Sequence, residues 1–509
     1  MTTLVRGKWV ITGGAQDDPV LSDGAVVIEG GTIAEVGPWH TVNANYPDAE
    51  VLGSPDAVVL PGLINAHHHG SGLATVQEGV WDDLLEPWIL DHARQRPRDG
   101  RLDVLLSAAR QLRSGVTTVV DVHSGGDSAK GYDNTVRAKL AAYDQTGMRV
   151  AFTPGYRTQS YIVAGAGEDA RFIDSLPDDA KAYAESLMPG PDVMSEDDYM
   201  AIMDEAHEAY ADNPRVDVWF GPPGPQWVSD GFMQRMAERA EALDTGIQTH
   251  VNESYYEKLH GLKFYGKPTV CHLRDLGVLS PRFSIAHGVW LTDAEITDLV
   301  ETGAGVSHNP SSNMRLRAGI APLNALLEAG VTTAMGMDGT TINDDEDMFA
   351  EMRLAMRLSR TPKLGMPAPD PARVFQAATA GGARLLRKET SLGQLKAGFA
   401  ADVVIANSRP LTFPWVAPDV DARELALMKL SARDVETVLV AGEVVVSDGQ
   451  PTRIDVEGAG RELAERLAAA PDRTEAARMI DVLKPHLNAW YMAWEVPEAT
   501  PYITYNSRD

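Results

Sequence analysis

Cysteine is almost missing from this chain: Cys271 is the single one in 509 residues. That excludes an intramolecular disulfide framework and a cysteine-rich metal site. Long apolar runs are missing too. None approaches the ~18 residues of a membrane span, so no membrane association is expected. The opening MTTLVRGKWVITGG has no basic segment followed by an apolar stretch and a cleavage site, so it does not read as a secretory signal. A cytoplasmic location is the expectation. Positive charge is scarce: 45 Lys and Arg stand against 72 Asp and Glu, a formal net charge of -27. A field of that sign repels phosphate backbones and argues against nucleic acid as a partner. What is present, 44% hydrophobic and 23% charged residues, is ordinary globular composition. At about 150 residues per domain the length suggests two to four domains, although an α/β barrel takes ~250 or more alone.

Both ends of the chain are β-rich. Residues 3–11 have β character, and Ala25–Glu29 and Thr32–Val36 flank Gly30-Gly31 as a tight hairpin. Near the far end, Ala401–Ala406 is strand-like, and Val435–Val440 and Glu443–Ser447 flank Ala441-Gly442. The two ends are read as one small β-sandwich, residues 1–57 plus 391–455; two unrelated β-modules is the alternative. Between them, residues 58–390 alternate β-branched runs with amphipathic stretches. Eight candidate strands occur: Val58–His69, Thr117–His123, Arg149–Gly155, Val216–Gly221, Gly246–Asn252, Phe283–Trp290, Ala304–Asn309 and Thr333–Gly339. Eight βα units in series point to the α/β class and a closed (β/α)8 TIM-like barrel. Residues 159–190 form a long insertion that fits no unit, and loops of that length often cover a site. Residues 456–509 read as a helical tail.

The chemistry-bearing residues sit at strand ends. The first barrel strand ends in Asn65-Ala66-His67-His68-His69-Gly70. Residues two apart face the same way in a strand, so His67 and His69 can share one ion while His68 points to the other face. The fifth strand ends with His250 and Glu253, the sixth carries His287, and the eighth ends with Asp338. All lie at the C-terminal ends of their strands, the face where barrel active sites are built. Imidazole and carboxylate ligands suit zinc, and also iron or manganese. One histidine near a strand end is most often a packing residue, and His123, His308 and Cys271 are read that way. Four separate strands ending in His-x-His, His, His and Asp are hard to obtain by accident.

The motifs PGLINAHHH, HVNES, SIAHGVWLTDAE, VSHNPSSNMRLRAGIAPL, MGMDGTTINDDEDMFAEMR and LGQLKAGFAADVVI resemble the amidohydrolase superfamily, in its cytosine-deaminase-like and triazine-hydrolase-like branch. The resemblance covers roughly residues 1–450. It implies a barrel holding one divalent metal, zinc first and iron as the alternative, with a β-sandwich made by both termini. It implies His67, His69, His250 and Asp338 as ligands, Glu253 as proton shuttle and His287 as the histidine beside the water. Binuclear relatives use a carboxylated lysine on the fourth strand. That segment here reads VDVWFGPPG, without lysine, so a mononuclear site is implied. Such an ion lowers the pKa of bound water toward about 7. Glu253 would carry its proton to a leaving nitrogen, His287 would polarise the substituent on the electrophilic carbon or hold the developing oxyanion, and Asp338 would also take a proton from the water.

The implied function is a metal-dependent hydrolase acting on carbon–nitrogen bonds other than peptide bonds. Deamination of a small amino-substituted N-heterocycle leads. Amide, urea or carbamate hydrolysis and chlorotriazine-type dehalogenation are the alternatives on the same site. Trp81, Trp88 and Trp290 follow strand ends or early βα loops and are expected at the barrel mouth, where each could stack on a flat substrate for roughly 1 kcal/mol. A rival reading takes Gly165-x-Gly167-x-x-Ala170 as a dinucleotide motif, but it lies in the insertion and not in a first βα unit. A non-catalytic homologue is the other rival, and the full set of ligands with Glu253 argues against it. Finally, Trp490 and Trp494 share one helix face. With Tyr491 they suggest a subunit contact and a homodimer or larger homo-oligomer.

Overall fold

The computed structural model describes residues 2–13, 20–124, 128–339, 343, 345–361 and 364–496. Residues 340–342 and 344 of the MGMDGTTINDDED motif, and 497–509 of the expected tail, lie outside the described residues. The chain opens with strands β1 (Thr2–Ile11), β2 (Val20–Glu29), β3 (Thr32–Pro38), β4 (Glu50–Gly53) and β5 (Ala57–Pro61). Then come β6 (Leu63–His68), β7 (Val116–Ser124), β8 (Arg149–Gly155), β9 (Val216–Val218), β10 (Ile247–Val251), β11 (Phe283–His287), β12 (Gly305–His308) and β13 (Thr332–Met335). Strands β14 (Val403–Asn407), β15 (Val435–Val440), β16 (Glu443–Ser447) and β17 (Gln450–Pro451) follow.

The two termini build one nine-stranded sheet, ordered β17-β16-β15-β14-β5-β1-β2-β3 with β4 beside β1. Antiparallel pairing of β5 with β14, Val59 opposite Ile405, joins the halves. The two expected hairpin tips also meet: Ala401 N donates to Gly31 O (3.0 Å) and Gly442 N to Ala401 O (2.9 Å). Val5, Val26, Val59, Val403, Ile405 and Leu439 are buried in the core of this sheet.

The single run expected over Val58–His69 is two strands. Gly62 divides them: its N–H donates to Asp402 O (2.9 Å), and a Cβ there would lie 2.1 Å from Thr117 Oγ1. The chain thus leaves the terminal sheet at Pro61 and enters a parallel sheet at Leu63.

The eight strands β6 to β13 form two four-stranded parallel sheets, β6-β7-β8-β9 and β10-β11-β12-β13. Most are buried along their whole length, as expected of parallel strands covered on both faces. At one seam, Phe220 N donates to Gly246 O (3.0 Å) and Gln248 N to Phe220 O (3.1 Å). At the other, Met337 N and Asp338 N both donate to His67 O, at 3.3 and 3.0 Å. Helices separate successive strands, for example Gly100–Arg113, Ala129–Thr146 and Asp230–Ala242. Among the described residues no helix is long and apolar enough to cross a membrane.

The insertion folds into short helices, Glu168–Asp174 and Asp178–Ser186, and the tail into Val456–Ala469 and Thr474–Met492. The insertion helices share one core with the last of these, in which Phe172 and Ile173 meet Ile480, Leu483, Leu487 and Tyr491. This corrects the reason given for a subunit contact. Trp494 is only 6% exposed, with its ring 5.5 Å from Phe264, and Trp490 lies edge-on to Phe172 at 5.5 Å. Trp494 is covered by its own chain and Trp490 is half-buried against it. The Gly165-x-Gly167 stretch is the turn at the start of the insertion. Gly165 N donates to Ser160 Oγ, and the Phe264 ring fills the space a Cβ would need.

Candidate metal centre

Each site residue is delivered by the end of a strand. His67 is the penultimate residue of β6, His69 follows its end, His250 lies in β10, His287 closes β11, and Asp338 stands three residues past β13. The backbone is strained here. Asn252, His287 and Asp338 have φ of 53°, 73° and 58°, a region costing non-glycine residues of order 1–3 kcal/mol each. Neighbouring bonds hold them: Asp338 N to His67 O, Trp290 N to Asn252 O (3.0 Å), and Asn252 Nδ2 to Glu295 Oε1 (2.7 Å). The strained turns tip the side chains inward at the point where each strand stops.

The four imidazoles share one arrangement. Each Nδ1 is engaged outward. His67 meets Gln248 Oε1 at 2.8 Å, His69 meets Val122 O at 2.9 Å, His250 meets Pro223 O at 2.6 Å, and His287 meets Asn313 Oδ1 at 2.9 Å. All these partners accept, so each Nδ1 carries the proton and each Nε2 offers a lone pair. The Nε2 atoms converge. Asp338 Oδ1 is 3.3 Å from that of His67 and 3.0 Å from that of His69. Those of His69 and His250 are 3.3 Å apart. His287 Nε2 is 3.6 Å from both Glu253 Oε2 and Asp338 Oδ2. Among the described residues, buried His67 Nε2, His287 Nε2 and Asp338 Oδ1 have no hydrogen-bond partner, and buried polar atoms left so need an explanation. Converging lone pairs around a carboxylate fit a divalent cation, with outer partners fixing each ring as metal-bound histidines require.

The electrostatics agree. Burial, and then the surrounding imidazoles, push His250 well below the usual histidine range. Burial likewise takes His287 down to about 4. Burial works to raise Asp338, but the surrounding imidazoles of His287, His67 and His69 hold it well below the usual carboxylate range. Glu253 goes the other way: burial, then the charges of Asp338, Glu257 and Glu86, push it well above. Burial and neighbouring charge thus push the two adjacent carboxyls in opposite directions. Glu253 is placed by its own N–H, which donates to Glu257 Oε2 at 2.6 Å, while Glu257 Oε1 accepts from Gln226 Nε2 at 2.7 Å.

A cavity of about 1050 Å3 opens over this centre, lined by His69, His250, Glu253, Asp338 and Trp88 among others. The three tryptophans expected at its mouth separate. Trp88 lines the cavity and is 7% exposed. Trp81 is 71% exposed and is not among its lining residues. Trp290 donates its indole N–H to Ala318 O (2.8 Å), lies 5.5 Å from the Tyr255 ring, and faces a separate groove. Both follow strand ends, but turns after β6 and β11 carry them off the mouth. His68 does point away: its Nδ1 accepts from Gly70 N (2.9 Å) and its Nε2 faces Glu346 at 3.6 Å. His308 is buried, while His123 lines the cavity wall beside Phe152. Cys271 is half-buried, its thiol pushed up to about 12 chiefly by burial. Sequence reasoning gave no role to Gln248, Ser312 or Asn313. Ser312 Oγ donates to Asp338 Oδ2 at 2.5 Å. Ser312 and Asn313 lie in the NPSSN motif, whose density of side-chain amides and hydroxyls was the available signal.

A family model described as the amidohydrolase family matches residues 58–445, and one for an imidazolonepropionase-like composite domain matches 24–49. The chain is 30% identical over 461 residues to a 5-methylthioadenosine/S-adenosylhomocysteine deaminase of Nitratidesulfovibrio vulgaris, covering 89% of this chain and 94% of that one. It is 33% identical over 478 residues to a 5'-deoxyadenosine deaminase of Methanothermobacter thermautotrophicus, covering 92% and 98%. A crystal structure of an adenosine deaminase from Xanthomonas campestris with bound zinc superposes with a TM-score of 0.76 at 27% identity, covering 92% and 98%. A match over more than half of the chain, on top of the strand-end histidines and Asp338, settles the kinship: the chain belongs to the amidohydrolase family and is a hydrolase of carbon–nitrogen bonds other than peptide bonds.

Proposed function

We propose that the protein deaminates a small amino-substituted N-heterocycle by hydrolysis, using one zinc ion held by His67, His69, His250 and Asp338. The observation that carries this reading is the convergence of the imidazole Nε2 atoms on Asp338, with Glu253 Oε2 3.6 Å from His287 Nε2 beside them. The names of the relatives, deaminases of adenine-containing compounds, support the substrate class. The absence of lysine from the fourth strand supports a single ion.

A divalent ion held there lowers the pKa of water toward about 7 and so supplies a nucleophile at neutral pH. The residues of the chain do the rest. Asp338, held low and braced by Ser312, takes the proton as water adds to the ring carbon. Glu253 donates its proton to the ring nitrogen and takes up the proton of the new hydroxyl as the carbonyl forms, while the proton held by Asp338 passes to the amino group, which leaves as ammonia. His287 Nε2, near both carboxylates, steadies the new oxygen. Trp88 gives the flat ring a face to stack on.

The architecture we propose is a closed (β/α)8 barrel opening at Leu63, beside a sandwich formed by curling of the nine-stranded terminal sheet. The hydrogen bonds at both seams and the meeting of the hairpin tips support it. The test is ammonia release by zinc-loaded protein across amino-purines, amino-pyrimidines and amino-triazines, alongside amides and ureas. Ammonia from an amino-heterocycle, with the ring carbonyl formed, is expected. Turnover of amides or ureas alone would overturn deamination.

A further inference from the structure

The chemistry at the metal end leaves one charged group on the cavity wall unused. Three cations line that wall: Arg98, Lys139 and Arg157. Arg98 lies 3.7 and 3.9 Å from Asp103 and Glu78, and Lys139 lies 3.7 Å from Asp121. Arg157, two residues past β8, has no carboxylate within 4.0 Å among the described residues, in a chain of net charge -27. The acid in its electrostatic reach, Asp169, is already engaged by the N–H groups of Tyr161, Ile162 and Val163 at 2.7, 2.9 and 2.9 Å. An enclosed charge without a counter-ion is unfavourable unless a partner arrives to pair with it.

The guanidinium is also aimed. Its Nη1 donates to Tyr161 O at 3.1 Å, and its carbon lies 4.7 Å from the centroid of the Trp227 ring. Trp227 is itself tied down, its carbonyl accepting from Thr158 N and Gln159 N at 2.9 and 3.2 Å. These contacts fix the plane of Arg157 and, among the described residues, leave the edge formed by Nε and Nη2 without a hydrogen-bond partner. That edge is the fork that matches two oxygens of a carboxylate. The start of the 159–190 insertion thereby acts on the cavity, because its turn, closed on Asp169, holds the carbonyl that orients Arg157.

We propose that Arg157 receives a carboxylate of the substrate, so that the heterocycle deaminated at the metal centre carries an acidic substituent. This rests on the deaminase reading above. A phosphate offers similar oxyanion chemistry, and the test separates the two.

The test uses the zinc-loaded full chain, wild type and the variants R157Q and R157K. The probes are 5'-methylthioadenosine (uncharged side group), S-adenosylhomocysteine (carboxylate), adenosine monophosphate (phosphate), and 4-aminopyrimidine with and without a 5-carboxylate. Ammonia release gives kcat/KM, and calorimetry gives binding. Wild type is expected to prefer the carboxylate member of a pair by about tenfold or more, as a charge-assisted bidentate bond allows. R157Q should abolish that preference. R157K, which keeps the charge but lacks the fork, should retain only part of it. A wild type indifferent to charge, a preference for the phosphate over both carboxylates, or equal losses on charged and uncharged probes in R157Q would each overturn the proposal. If no probe releases ammonia, the deaminase reading fails, and calorimetry alone decides: Arg157-dependent binding of the carboxylates sustains the site, and its absence removes it.

Discussion

The floor of the cavity and its outer wall are built differently. The floor is made by ends of regular strands: His67, His69, His250, His287 and Asp338 sit where β6, β10, β11 and β13 stop. The wall is made by pieces far apart in sequence. Trp88 comes from a short helix after β6, Arg157 from the turn between β8 and the insertion, and the Thr474–Met492 helix packs beside both, with Lys484 bonded to Asp91 (2.7 Å) and Tyr491 accepting from Ala164 N (2.9 Å). The difference is a division of labour. Chemistry that tolerates little misplacement stands on the hydrogen-bonded sheet, and recognition stands on loops that can differ between relatives.

If that division holds, the largest effects belong to the floor. H67A or D338A should release the metal and cost at least ~10³-fold in turnover, because each removes a ligand and leaves buried partners unpaired; elemental analysis with an ammonia assay reads both. E253Q should keep the metal and lose at least ~10²-fold. A variant that sheds its metal would show that Glu253 is a ligand instead. One step further out, Q248A removes the acceptor that orients His67 and should weaken zinc binding by ~10–100-fold, measured by chelator competition.

The wall should respond in KM rather than in kcat. W88A is expected to raise KM several-fold, from roughly 1 kcal/mol of stacking. W81A, at an exposed position, should leave KM as it is. A W81A effect equal to that of W88A would blur the distinction between floor and wall.

The smallest effect is on stability. Glu351, buried behind the Asp338 segment, accepts from Ser311 N at 2.8 Å, and burial raises its carboxyl from 4.5 to about 8. Between those values the unfolded chain has released a proton that the folded chain still holds. Its contribution to stability is therefore complete below about 4.5 and fades as pH rises toward about 8. The melting temperature of E351Q should fall less steeply over that window than that of wild type. Parallel slopes would contradict the buried, protonated state.

The same contrast governs what could be read from the sequence. The floor was legible because a strand has a fixed period: His67 and His69 two apart, and turn residues such as Gly70 and Gly339 marking where each strand ends. The break at Gly62 was not, since VVLPGLINAHH is apolar over most of its length and only the close approach of Thr117 shows why glycine is needed. The wall was legible in residue type but not in place. Trp81, Trp88 and Trp290 share a sequence context, yet loop geometry puts only Trp88 at the cavity. Trp490 and Trp494 showed an apolar helix face, but not that Phe172 and Phe264 of the same chain cover it. Arg157 gave no signal, because being unpaired is a property of three dimensions.

One catalytic metal on the strand-end histidines and Asp338 is what all of these effects depend on. The direct measurement is to strip the purified protein with a chelator, return zinc in known amounts, and follow ammonia release at each addition. Activity should rise in proportion to zinc and break at one ion per chain. A break at two ions per chain, or full activity in the stripped protein, would contradict it.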